Sequence, residues 1–293
     1  MAGYLPSEIE GVFDLAILHV FDSPPPGVKP DWTMEQNWEA FKPEEHETWD
    51  LLVSRKAQAI SAYASKAFVD GLGILELSKP GIPDFRELNP KLKAAAGWEV
   101  VAVPGFIPND AFFRHLSEKR FPVANFLRPA TSLDYSEEPD MFHDMFGHLP
   151  MLTNPALADF LVNYGHAGLR AEGIGAADYL ARLYLYTVEF GLVIEDGRLR
   201  GFGAGLLSSL SETEHALTAP GVRRIYVDLP RVMRTQYHFD RFQEVYFAID
   251  SFDDLLRMTD EADFAAIYAH VESLPPLEPG ADCDSDVPCK ASY

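Results

Sequence analysis

Cysteine is scarce. Cys283 and Cys289 are the only two in 293 residues, and both fall within the last eleven. Two thiols in a tail cannot frame a secreted domain, and a C-x5-C spacing is not a zinc pattern. Positive charge is also short, with 24 Lys and Arg against 45 Asp and Glu and a formal net charge of −21. A field of that sign repels phosphate backbones and anionic headgroups, so neither nucleic acid nor a membrane surface is an expected partner. No apolar run reaches the roughly 18 residues that a membrane-spanning helix needs. The segment from Met1 to Pro6 has no basic region of the signal-peptide kind, and the cytoplasm is the expected compartment.

What is present is ordinary globular material, 47% hydrophobic and 24% charged, enough for one large core. Residues 1–45 are proline-rich, with Pro24, Pro25, Pro26, Pro30 and Pro43, and are expected to form an extended arm that wraps a core. Apolar residues on recurring turns predict a long helix over 46–77, and further helices over 83–95, 109–118, 155–166, 176–193, 251–259 and 261–271. Pro139 is placed to open another. Residues 100–103 are a short β-branched run, and 121–127 read as a turn or short strand. Asp196-Gly197, between two apolar runs, is a hairpin signal. Residues 273–293 are rich in Pro, Asp and Gly and are expected to be a solvated tail. The expected fold is therefore mostly α, one domain over 46–272, with short strands and a hairpin at its edge.

The densest chemistry lies between Glu137 and His148, where His143 and His148 are five residues apart. On an ideal helix they diverge by about 140°, so a straight helix cannot aim both at one point. Gly147 permits a left-handed turn that would swing His148 back toward His143. Histidines of this spacing are more often surface or core residues than ligands. Forty-one residues beyond His148, Glu189 sits in the apolar aromatic stretch Tyr184-Leu185-Tyr186-Thr187-Val188-Glu189-Phe190. There an uncompensated carboxylate costs several kcal/mol. It is either a surface residue on a helix edge or a ligand compensated by a cation. Two histidines and one carboxylate form the facial triad of non-haem Fe(II) oxygenases. A zincin is excluded, because its H-E-x-x-H needs a spacing of four and a Glu base. A dinucleotide site is excluded as well. The glycine run from Gly201 to Gly205 has Ser208 where the third glycine of G-x-G-x-x-G belongs, and no βαβ pattern surrounds it.

Three segments together are far more specific than any of these spacings. Glu138-Pro139-Asp140 to His148, Tyr186-Thr187-Val188-Glu189-Phe190-Gly191-Leu192 and Gly203-Ala204-Gly205-Leu206-Leu207-Ser208-Ser209 resemble the pterin-dependent aromatic amino acid hydroxylases, most closely the bacterial phenylalanine 4-hydroxylases. The likeness runs over roughly residues 46–260, in order and in spacing. It implies a catalytic domain that holds Fe(II) through His143, His148 and Glu189. It also implies tetrahydropterin, as tetrahydrobiopterin or a bacterial analogue, and O2 as co-substrate in ring hydroxylation. By the same resemblance, Arg128 clamps the substrate carboxylate, a task suited to a planar fork. Asp140 is its ion-pair partner, and Ser136 and Ser208 lie on the substrate side. Phe112 stacks on the pterin, with Val103, Ile107, Asp144 and Tyr184 around it. The activity implied is conversion of L-phenylalanine to L-tyrosine.

Two positions depart from the pattern: Pro104 stands where alanine is usual in the pterin loop, and Leu185 stands where the phenylalanine hydroxylases carry Trp and the tryptophan hydroxylases Phe. Leu185 keeps L-tryptophan, or another ring carbon of phenylalanine, as an alternative reading. A protein that binds metal or pterin without catalysis is a remoter one. The regulatory domain and tetramerising helix of the animal enzymes have no counterpart here, so the expected state is a monomer.

Overall fold

A computed structural model describes residues 23–133, 138–238 and 241–291. The expected long helix over 46–77 is two helices. Helix α1, Pro43–Tyr63, starts with Pro43 in its first turn, and Glu45 reaches back to the Lys42 N–H at 2.9 Å. Its buried face carries Trp49 and Leu52, whereas Leu51 points to solvent. The chain then extends at Ala64 and Ser65, and the Ser65 hydroxyl accepts the Phe68 N–H to start α2, Lys66–Leu75. A serine able to cap breaks a helix that apolar spacing alone reads as continuous. Asp84 caps α3, Phe85–Ala96, and Gly97 closes it at φ +75°.

Strand β1, Glu99–Val103, pairs in parallel with β2, Arg120–Ala124, and α4, Asn109–Ser117, crosses between them. Helix α4 packs closely on α6, Pro155–Glu172, where Gly168 leaves room for the Phe113 ring. Ahead of α6, a π-helical turn over His143–His148 runs into the short α5, Leu149–Leu152. Helix α7, Ala177–Tyr184, likewise passes into a π-helical turn over Leu185–Glu189. The predicted hairpin is present as β3, Leu192–Glu195, and β4, Arg198–Gly201. Asp196 and Gly197 both have positive φ, as the mirror-image two-residue turn requires.

Helix α8, Ala204–Leu207, and α9, Leu210–Thr218, lead to β5, Arg223–Tyr226. Then follow α10, Leu229–Arg234, and β6, Val245–Ile249. β6 is buried along its whole length and joins β3 and β5 in a four-stranded sheet ordered β4-β3-β6-β5. Helices α11, Phe252–Asp260, and α12, Phe264–Glu272, are capped by Ser251 and Asp263. The architecture is mostly helical with short strands, as expected, and one large apolar cluster runs through it from Trp49 to Val271. Among the described residues, no helix is long and apolar enough to cross a membrane.

Both ends of the chain are attached to the core. Residues 1–22 of the arm lie outside the described residues, but 31–41 are fastened to the core. Met34 bridges to Ala102, and the Trp38 indole donates to the Ile82 carbonyl at 2.7 Å. The expected solvated tail also lies on the protein. Leu277 exchanges backbone bonds with Arg234 and Gln236, while Val287 and Cys289 pair with Tyr226 and Arg224 along the outer edge of β5. From this strap Asp286 reaches Arg231, 1% exposed, at 2.7 Å from Nε, and also pairs with Arg223. The cause is a buried guanidinium that needs an anion, and composition cannot register a partner 55 residues away. Cys283 and Cys289 are both free thiols.

Candidate active site

Asp140 organises the entry to the first π turn. It is fully buried, and its carboxylate accepts the Arg128 backbone N–H at 2.9 Å, Arg128 Nε at 2.8 Å and Arg128 Nη2 at 2.6 Å. It also accepts the His143 N–H at 3.1 Å, which joins the arginine to the start of the π turn. Burial alone would raise the Asp140 pKa, but the Arg128 guanidinium and these N–H groups hold it below the usual carboxylate value. Arg128 Nη1 has no hydrogen-bond partner among the described residues, and the guanidinium lies over the Phe142 ring.

The expected left-handed turn at Gly147 is not how the histidines meet. Gly147 is not among the positive-φ residues, and the helix instead widens to i→i+5 bonding over His143–His148. A π turn brings residues five apart back onto one face. His143 Nε2 and His148 Nε2 stand 3.2 Å apart. The second π turn does the same for Glu189. The Phe190 N–H bonds to the Leu185 carbonyl at 2.8 Å and aims the carboxylate at both rings. Glu189 lies 3.0 Å from His148 Nε2 and 3.5 Å from His143 Nε2, and the three ligand atoms fall within 4.8 Å of one another.

This donor set fits a metal ion. Two imidazole nitrogens 3.2 Å apart cannot both present lone pairs to each other without a cation between or a proton on one. In the absence of metal, burial pulls the His143 pKa down, but the Glu189 carboxylate more than reverses this and lifts it to about 9. Burial pushes Glu189 up, and the two histidines outweigh that, leaving it well below the usual carboxylate range. On the outer side, His143 Nδ1 lies 3.3 Å from Ser208 Oγ, which holds the ring with Nε2 facing inward. Ser208, expected on the substrate side, is thus in contact with the His143 ring.

The other predicted residues surround the triad unevenly. The Phe112 ring meets Tyr184 edge-on at 5.8 Å, and Tyr184 lies 6.1 Å from the His148 ring. Val103 is buried at the end of β1, and Ile107 is half-buried in the loop that follows. Asp144 ties the first π turn to β2 by accepting the Ala124 N–H at 2.8 Å, and burial pushes its carboxyl up to about 6. Leu185 is half-buried at the start of the second π turn and packs against the core. Ser136 lies outside the described residues. Sequence reasoning missed Phe121, whose ring lies 5.2 Å from His148, because a strand phenylalanine looks like any other core residue.

Comparison with known proteins agrees with this geometry. Residues 37–267 match the family described as biopterin-dependent aromatic amino acid hydroxylase. The phenylalanine-4-hydroxylase of Caulobacter vibrioides is 49% identical over 253 residues, covering 86% of each chain. That of Chromobacterium violaceum is 45% identical over 257 residues, covering 88% of this chain and 86% of its own. Crystal structures of the Chromobacterium violaceum phenylalanine hydroxylase, bound to cobalt and with bound oxidized Fe(III), superpose with TM-scores of 0.86 at 43% identity, covering 94% of this chain and 98% of theirs. The chain belongs to the biopterin-dependent aromatic amino acid hydroxylase family.

Proposed function

We propose that this protein is an Fe(II)- and tetrahydropterin-dependent monooxygenase that converts L-phenylalanine and O2 to L-tyrosine. The observation that carries the reading is the cluster of His143, His148 and Glu189, set 4.8 Å or less apart in a chain whose relatives are phenylalanine-4-hydroxylases. Bound there, iron and the reduced pterin supply the activation of O2 and the two electrons that place one oxygen atom on the ring.

The protein's own residues supply position. His143, His148 and Glu189 would hold the metal. Ser208 fixes the His143 ring. Arg128, held in plane by Asp140, offers its remaining N–H groups to the amino acid carboxylate. Phe112, with Tyr184 edge-on behind it, gives the pterin a flat apolar face, and Val103, Ile107 and Asp144 bound the same side. Leu185, one turn before Glu189, borders the substrate ring, and Ser136 is assigned to substrate binding by the family resemblance alone. The enzyme acts as a monomer in the cytoplasm, without nucleic acid or membrane, and its net charge of −21 opposes self-association.

The test is incubation with Fe(II), tetrahydropterin and each aromatic amino acid, with products identified by mass spectrometry under 18O2. Tyrosine carrying one labelled oxygen is the expected product. Absence of phenylalanine-dependent pterin oxidation, or a dominant product from tryptophan, would overturn the proposal.

A further inference from the structure

The segment from Gly203 through α8 to Ser208 supplies no metal ligand, yet it touches the surroundings of all three. A methyl group placed on Gly203 would sit 2.2 Å from the Glu189 carbonyl oxygen and 2.6 Å from the Gly191 nitrogen. One placed on Gly205 would come within 3.1 Å of the same carbonyl oxygen. On the other side, the Ala204 Cβ lies only 2.9 Å from where a methyl on Gly147 would be, next to His148 in the chain. Ser208 Oγ contacts His143 at 3.3 Å, and its N–H is tied to the Ala204 carbonyl at 2.9 Å. One helical turn therefore stands between the two π turns and reaches the third ligand as well.

We propose that this segment is the spacer that sets the separation of the ligand-bearing turns, with Gly147 and Ala204 as positioning residues for the metal. The inference rests on reading His143, His148 and Glu189 as the ligands. Packed interiors do not deform smoothly, so a contact imposed on one side of the segment is passed to the other. Carbon atoms in ordinary contact sit about 3.5–4.0 Å apart. A methyl on Gly147, at 2.9 Å from Ala204 Cβ, therefore forces the turns apart by about 0.6 Å or more. Ligand constellations tolerate only about 0.5 Å of such displacement. The backbone itself has no objection to alanine there, because Gly147 does not lie at positive φ. Any effect of Gly147→Ala thus comes from the contact. Shaving Ala204 to glycine removes its closest part, leaving the Ala204 Cα and carbonyl oxygen at 3.3 Å, where a shift of a few tenths of an ångström suffices.

The test is Co(II) titration of the purified full chain, followed by visible absorption, with far-UV circular dichroism to confirm folding. Gly147→Ala is expected to weaken Co(II) binding about ten- to a hundredfold, the range seen when support around metal ligands is disturbed, and to alter the d–d bands. Gly147→Ala with Ala204→Gly is expected to return to within about threefold of wild type and to restore the spectrum; bands that shift and return while circular dichroism stays constant report ligand geometry rather than loss of fold. A double variant that binds as weakly as Gly147→Ala, or a Gly147→Ala protein that binds like wild type, refutes the spacer. Should Gly147→Ala not fold, Gly205→Ala asks the same question from the Glu189 side, where the neighbours need yield only a few tenths of an ångström. It is expected to weaken binding about three- to tenfold, and unchanged affinity there would refute the spacer too. Wild-type protein that takes up no cobalt would instead overturn the ligand assignment itself.

Discussion

Removing the Asp140 carboxylate should damage both the fold and the handling of substrate. Asp140 is fully buried and accepts four hydrogen bonds, two of them from a guanidinium that is itself 9% exposed. Asp140→Ala leaves that guanidinium and two backbone N–H groups in the interior without their acceptor. Breaking a buried pair from one side costs about 3–5 kcal/mol. At about 2–4 °C per kcal/mol for a somewhat smaller chain, the melting temperature should fall by roughly 5–15 °C. Arg128→Ala should cost less stability, because the remaining carboxyl keeps two N–H donors and can take up a proton. It should instead lose about 2–3 kcal/mol of substrate binding, which is roughly a 30- to 150-fold rise in KM for phenylalanine. Each residue's effect presupposes the other, so the double variant should destabilise by less than the sum, with a coupling of about 0.5–3 kcal/mol. Thermal unfolding of all four proteins and initial rates against phenylalanine concentration make the measurement. Additive stabilities would show that the pair is not a unit. An unchanged KM in Arg128→Ala would show that the substrate carboxylate is held elsewhere.

Glu189→Ala should lose most bound iron and all hydroxylation while keeping its circular dichroism; metal analysis and a turnover assay check this. Leu185→Trp should fill space beside the substrate ring and shift selectivity toward phenylalanine and its 4-hydroxylation by roughly tenfold or more, read as product ratios from phenylalanine and tryptophan. Asp286→Ala should cost about 3–5 kcal/mol near neutral pH by stranding Arg231. Burial alone would raise the Asp286 pKa, but Arg231, the Cys283 N–H and Arg223 hold it below 3.8. Its stabilisation is therefore fully present above the unfolded carboxyl's value and lost as pH falls through the lower folded one, so melts of variant and wild type should converge on acidification below about pH 4. Light scattering should report a monomer, and rates should depend hyperbolically on phenylalanine.

What could be read in advance follows the range of each interaction along the chain. The hairpin announced itself because Asp196-Gly197 is a local device, and the left-handed Gly97 that closes α3 is another. The break at Ser65 was less visible, since apolar spacing continues across it and only the cap gives it away. β6 was missed for a different reason. Val245 to Ile249 is a short, wholly buried apolar run, and such a run has no period to separate strand from helix. The attachment of the tail is not legible, because its backbone pairs with Arg224, Tyr226 and Arg234 and its carboxylate meets a buried arginine, all far away in sequence.

The active site divides along the same line. The donor set was legible, because a carboxylate in an aromatic helix and a close pair of histidines are costly unless something compensates them. Their convergence was not. A regular helix separates His143 from His148, and Gly147 was credited with the wrong property, its freedom of φ rather than its missing side chain. That missing side chain matters only because Ala204 stands against it, 57 residues further on. A π turn also costs regular hydrogen bonding, so it persists where neighbouring contacts over-determine it. Here those contacts come from one small-residue segment that also holds the Glu189 backbone and the His143 ring. The chemical identity of the site thus resides in three residues, while its geometry resides in residues that have no chemistry of their own.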